Sequence, residues 1–253
     1  MFVTLVVLLG LLCGSYLGVI ADRLPRGEPT STGRSHCDSC GADLRWFELV
    51  PIVSWIAQRG RCRRCGVPIT LAPLLMEIVT GTLFGAMAAR FGVHWETAAF
   101  VVLVGALVPL SVIDLRTRRL PREIIYVAGA AGAPLLVVAA LVADEPQRIW
   151  WAAVGAGAAL AFFLALYFGW RGGMGDGDVR LAGLLGMYLG WIGLAHIPVG
   201  LFLGFLAGSL VGVVTLARGG GRKTALPFGP FMAIGAMVAM IWGHPIIELW
   251  LGG

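Results

Sequence analysis

The stretch Phe100-Val-Val-Leu-Val-Gly-Ala-Leu-Val-Pro-Leu-Ser-Val-Ile-Asp114-Leu-Arg-Thr-Arg-Arg119 decides the fold. An uncharged apolar run ends abruptly in an acid, and three arginines follow it. The full window, 95–113, is long enough to cross the hydrocarbon core of a bilayer as a helix. Comparable windows lie at 2–21, 74–91, 123–143, 149–170, 179–194, 197–217 and 229–251. The window at 179–194 is short and rich in glycine. The expected fold is therefore all-α: a polytopic integral membrane bundle of about eight helices. Gly and Ala inside the windows suit close helix packing in lipid.

Composition agrees. Apolar residues make up 58% of the 253 and charged residues only 13%, too few to cover the core of a soluble fold of this length. The first window has no basic segment before it and no small-residue cleavage site ahead of Asp22 and Arg23, so it reads as a retained helix. Cys13 within it reads as a small buried apolar residue. Eight arginines fall between 22 and 73. Arg116, Arg118, Arg119 and Arg122 follow the third window, Arg171 and Arg180 flank the loop before the sixth, and Arg218, Arg222 and Lys223 precede the eighth. Only Arg90 and Arg148 fall on the other side. The positive-inside rule makes the crowded side cytoplasmic and puts both termini outside. Topology thus accounts for the basic balance, and nucleic acid is not an expected partner.

The loop 22–73 is the one stretch able to form a small subdomain between the first helix (1–21) and the remaining membrane core (74–253). It carries Cys37-Asp-Ser-Cys40-Gly41 and Cys62-Arg-Arg-Cys65-Gly66, with 21 residues between the two pairs. Four thiolates in two such hooks can close a tetrahedral zinc site, and a loop this short has too little core to fold without a staple. A cytoplasmic setting argues against two disulfides, and no βαβ pattern supports a redox pair. The zinc is expected to be structural, with Cys37, Cys40, Cys62 and Cys65 as ligands and His36 as a solvated neighbour.

The fourteen acids narrow the search for chemistry. Five lie in the cysteine loop, and Glu96, Asp144 and Glu145 lie in outer loops. Glu123 fits the first turn of a helix, and Glu248 sits near the outer end of the last window. Glu77, Asp114, Asp176 and Asp178 remain at the cytoplasmic boundary, where an acid is a functional candidate by default. Asp114 closes the third window and Asp178 opens the sixth, so both face one leaflet. Two carboxylates at one site can divide water-driven peptide hydrolysis: one takes a proton from water while the other, protonated, polarises the carbonyl. The plainer alternative is a helix-capping Asp178 and a boundary residue at Asp114. By the helix macrodipole, Asp178 is expected to be the base and Asp114 the acid.

Taken in order, these motifs resemble the type IV prepilin peptidase (leader peptidase) family of GxGD membrane aspartyl peptidases. The resemblance runs from Gly14–Pro25 through both cysteine hooks, Leu44–Trp55 and Pro73–Glu77, to Asp114, a Gly-x-Gly-Asp motif and Pro227-Phe228-Gly229-Pro230. Gly-x-Gly-Asp occurs twice in overlap, from Gly173 to Asp176 and from Gly175 to Asp178. Only the second continues into the family's spacer, basic residue and Leu, as Val179-Arg180-Leu181. Gly18, Asp38, Arg122 and Arg180 depart from common family residues. The resemblance implies an inner-membrane enzyme that removes the short basic leader of prepilins or pseudopilins at the cytoplasmic face, with Asp114 and Asp178 catalytic. Its partners are then the substrate's leader and apolar helix, and membrane lipid. It also implies methylation of the new N-terminus from S-adenosylmethionine, for which no Gly-rich βα unit is visible in the sequence.

Rival classes leave other traces. A zinc protease lacks its HExxH here. A transporter predicts acids near the midplane and internal repeats, and a secretion-system scaffold has no need for both aspartates.

Overall fold

The computed structural model describes residues 1–169, 174–219 and 226–251, with 250 and 251 described by backbone only. Arg171, Gly172, Gly173, Arg222 and Lys223, which bear on orientation and on the competing glycine register, lie outside the described residues. The helices are α1 (Phe2–Arg23), α2 (Val53–Ala57), α3 (Ala72–Phe91), α4 (Trp95–Thr117), α5 (Arg122–Val142), α6 (Gln147–Gly169), α7 (Asp176–Ile192), α8 (His196–Ala217) and α9 (Gly229–Leu251). Seven of these are long and apolar enough to cross a membrane. The eighth expected crossing, α7, forms where the sequence places it but has only 17 residues, so the count of eight is approximate.

Helix ends follow local chemistry. Pro73 opens α3 at a position where a missing N–H costs nothing, and Gly92 (φ +68°) closes it, its N–H donating to the Ala88 carbonyl. Pro121 precedes α5. Arg118 ends α4 in the left-handed region, its N–H reaching the Asp114 carbonyl at 2.8 Å.

The chain divides into two compact units, Met1–Val93 and His94–Gly253. In the first, α1 packs on α3 through facing small residues. A Cβ on Gly10 would meet Gly81 Cα at 2.8 Å, and one on Gly14 would meet Glu77 Cα at 2.7 Å, so the backbones approach as closely as only glycine permits. Leu5, Leu8 and Leu12 point outward, as expected of a face against lipid. Cys13 is half-buried rather than enclosed.

In the second unit α6 packs on α7, α8 on α9, and α4 on α5. Gly155 meets Gly186 and Gly190 at the first of these contacts, and Gly235 meets Gly200 and Gly204 at the second. α4 is the most enclosed of the seven spans. Tyr188 of α7 is fully buried, rests edge-on against Phe100, and donates its hydroxyl to the Ala99 carbonyl at 3.0 Å. At the end of this unit that carries the loop from α5 to α6, Arg148 bonds Glu96 at 2.6 Å, pairs with Glu145 and lies over the Trp191 ring. That end holds the one basic residue of this unit expected outside.

Candidate active site and metal centre

At the opposite end of the second unit, the C-terminal end of α4 meets the starts of α7 and α9. Asp114 sits one turn before the end of α4 and is almost wholly buried, at 4% exposure. Its Oδ2 accepts the Gly229 N–H at 2.9 Å. Gly229 is the first residue of α9, so this donor is one of the backbone groups a helix start leaves without an intrahelical partner. Phe228 fixes its position: the ring packs on Phe205 of α8 and Phe163 of α6, with centroids 5.0 and 6.4 Å away.

Asp178 lies in the first turn of α7. Its Oδ2 accepts the Gly175 N–H at 3.2 Å, the backward half of a capping box. The capping reading of Asp178 is therefore correct as geometry, and it leaves a catalytic role open. Asp176 is different: it is exposed and paired with Arg180 at 2.5 Å, one turn on. That pairing engages Arg180 on the carboxylate of the competing register, not on Asp178.

Leu120 packs against the starts of both α7 and α9. A Cβ on Gly177 would meet Leu120 Cβ at 2.8 Å, and a Cβ on Gly229 would meet Leu120 Cδ2 at 3.0 Å and Asp114 Oδ2 at 2.9 Å. The Leu120-Pro121 corner thus wedges between the starts of α7 and α9. Both glycines are required by close approach, since any side chain would push the corner or Asp114 aside. Sequence reasoning did not assign Gly229 or Leu120. The Pro-Phe-Gly-Pro stretch was the signal, but its working group is a backbone N–H.

In the first unit the four cysteines come together. One sulfur from each of Cys37, Cys40, Cys62 and Cys65 lies within 4.8 Å of all the others, and Cys37 Sγ is 3.8 Å from Cys65 Sγ. A tetrahedron of zinc–sulfur bonds of ~2.3 Å has edges of about 3.8 Å. The hooks repeat one design. The Gly41 and Gly66 N–H groups return to the Cys37 and Cys62 carbonyls at 2.8 and 2.9 Å, with both glycines at positive φ. The backbone N–H groups of Cys65 and Arg64 draw the Cys62 thiol down to about 6, while, against the Val67 N–H, desolvation and the neighbouring cysteines push Cys65 up to about 11, so Cys62 is the readier of the two to supply a thiolate. The cluster can hold a metal ion. His36 stays outside it, its Nδ1 against the Arg34 carbonyl.

Glu77 is absorbed differently from the aspartates. It is buried, and its Oε2 accepts the Ile52 N–H at 2.7 Å, so this boundary acid anchors the loop.

Residues 8–91 match the family described as Bacterial Peptidase A24 N-terminal domain, and residues 100–215 match the Type IV leader peptidase family. A prepilin leader peptidase/N-methyltransferase of Stutzerimonas stutzeri is 31% identical over 99% of this chain and 94% of its own length. The chain belongs to the type IV leader peptidase family. A Bacillus subtilis relative of the same description is 31% identical, over 96% of this chain and 95% of its own. One from Myxococcus xanthus is 37% identical over 87% of this chain, which spans only 65% of that relative. No solved structure matches. Asp114 and Asp178 fall in the second matched segment and the four cysteines in the first. The Pro227–Pro230 stretch lies beyond both, so the role of Gly229 stands on geometry alone.

Proposed function

We propose that this protein is a multi-pass aspartyl endopeptidase of the bacterial inner membrane that removes the leader of type IV prepilins or pseudopilins. The observation that supports the reading is the placing of Asp114 near the end of α4 and Asp178 in the first turn of α7, each with an oxygen accepting the backbone N–H of a helix start. Family membership supports the reaction, and the arginine excess supports a cytoplasmic site with both termini outside. In the reaction, one carboxylate takes a proton from water as the water attacks the scissile carbonyl, while the other donates a hydrogen bond to the carbonyl oxygen. As the C–N bond of the tetrahedral intermediate breaks, the proton taken from water passes to the leaving nitrogen, and the hydrogen-bonding carboxyl keeps its own proton as the carbonyl re-forms.

The macrodipole expectation for the two roles needs revision. Asp114 does end α4, at the negative end of that dipole, but it also faces the positive end of α9 through Gly229. Helix ends therefore no longer separate the pair. We retain Asp178 as the base because it is the less enclosed of the two and so the one water reaches more readily.

Zinc fits the four-cysteine cluster by donor chemistry and spacing. As a structural ion it would hold the two hooks together and offer no open position for catalysis. The relatives' description carries N-methyltransferase, and S-adenosylmethionine as the methyl donor rests on the family resemblance alone. Among the described residues there is no strand, and hence no βα cradle for that cofactor.

Purified protein incubated with a prepilin peptide should yield a new N-terminus at the leader junction, read by mass spectrometry. Asp114→Asn and Asp178→Asn should each abolish this product with membrane insertion intact, and Asp176→Asn should leave it nearly unchanged. Loss of cleavage in Asp176→Asn with retention in Asp178→Asn would show the glycine register to be the wrong one.

A further inference from the structure

Between the two cysteine hooks the chain leaves a run of large apolar side chains uncovered. Trp46 is 80% exposed, and Val53 and Ile56 are each 62% exposed, with Leu49 and Val50 beside them also open. Val53 and Ile56 stand three residues apart on α2 and so share a face. A run like this in water is a liability unless something covers it.

Its depth says what does. Ile52 is tied by its N–H to Glu77, on the second turn of α3 and already inside the apolar window 74–91. The tie is a constrained one: Ile52 sits at φ +63°, ψ −52°, and the Val53 N–H returns to the Pro51 carbonyl at 2.5 Å. This is the rare γ-turn with positive φ, costly for a β-branched residue and kept only where its surroundings enforce it. The segment is thus held against the boundary of a membrane span, and both ends of its loop run into spans. Its charge is complementary to a lipid surface. Arg45, Arg59, Arg61, Arg63 and Arg64 are all exposed, against the single acid Glu48, whose Oε2 accepts the Arg45 N–H. The Arg63 guanidinium lies over the Phe47 ring at 5.3 Å, joining the second hook to the apolar run.

We propose that residues 46–56 form an interfacial anchor. Trp46, Val53 and Ile56 seat in the leaflet from which α1 and α3 emerge, and the surrounding arginines bind anionic phospholipid headgroups. Apolar side chains flanked by arginines are the composition that lies in an interface. The anchor fixes the cysteine subdomain at the membrane surface, and it holds or fails independently of the peptidase reading.

The test uses the full chain in nanodiscs containing a phospholipid with a diazirine near the headgroup end of its acyl chain. Adducts are mapped by mass spectrometry, with the exposed face of α1 around Leu5 and Leu12 as internal reference. Peptides covering 46–58 should carry adducts, several-fold more in phosphatidylglycerol than in phosphatidylcholine. The triple variant Trp46→Ser, Val53→Ser, Ile56→Ser should reduce them to background while α1 labels as before. Absence of adducts from 46–58 where α1 is labelled, equal labelling in the two lipids, or displacement of the adducts by an added prepilin peptide would each overturn the proposal.

Discussion

Gly229 does its work at Asp114 with no side chain at all. A methyl group there would stand 2.9 Å from Asp114 Oδ2 and 3.0 Å from Leu120 Cδ2, closer than real Cβ atoms comfortably approach. Gly229→Ala should therefore displace the carboxylate and stretch the N–H bond it accepts. With Asp114 as the protonated member, the bond joins uncharged groups and contributes ~0.5–1.5 kcal/mol, so cleavage should slow by about two- to tenfold. Expression and insertion should stay normal, and KM for a prepilin peptide should change little. An unchanged rate would mean that the contact plays no part in catalysis. The same residues show what was legible in sequence. Asp114 and Asp178 stood out as candidates because a carboxylate at membrane depth is costly and rare. Gly229 and Leu120 were not, because a backbone donor and an apolar wedge look like any glycine and leucine in an apolar chain. Glu77 carried the same signal as the aspartates but bonds the loop through Ile52, so membrane depth alone does not separate a candidate catalytic acid from an anchoring one.

Among the elements, the cysteine hooks were read most fully, because each depends on four or five consecutive residues. Cys-x-x-Cys-Gly sets its own turn, and the matching returns of Gly41 and Gly66 show the turn made twice. Metal analysis of the purified chain should find about one zinc per molecule, lost when Cys37, Cys40, Cys62 and Cys65 are changed together to Ser. Proteolysis should then cut the 22–73 loop far faster than in the parent, while the membrane helices stay protected. Retention of stoichiometric metal by the quadruple variant would exclude these four as its ligands. Helix partners were less legible. Glycine richness announced close packing, but Gly155 does not say from sequence that it will face Gly186, nor Gly235 that it will face Gly200. Those pairings depend on which surfaces meet after the helices form.

For the molecule as a membrane protein, the position of the spans was legible and their length only partly so. The windows located every long helix, because apolar length is a property of composition. Arg148, with Glu96, Glu145 and Trp191, marks one end of the His94–Gly253 unit, and the carboxylates mark the other. The exception was α7. Seventeen residues rise about 25 Å, several ångströms less than the ~30 Å of a typical hydrocarbon core. Its first turn carries Asp178, and its last buries Trp191. A crossing too short for its bilayer draws the headgroups inward around it, at a modest cost for every ångström of mismatch. The local dimple would bring water down to a carboxylate that a thicker slab would leave dry. In vesicles of monounsaturated lipids lengthened from about fourteen to about twenty-two carbons, cleavage should slow progressively while the protein remains inserted, and a flat profile would count against the idea. Proteolysis by this chain would then be tuned by the thickness of its host membrane, fast where the bilayer is thin and idle where it is thick.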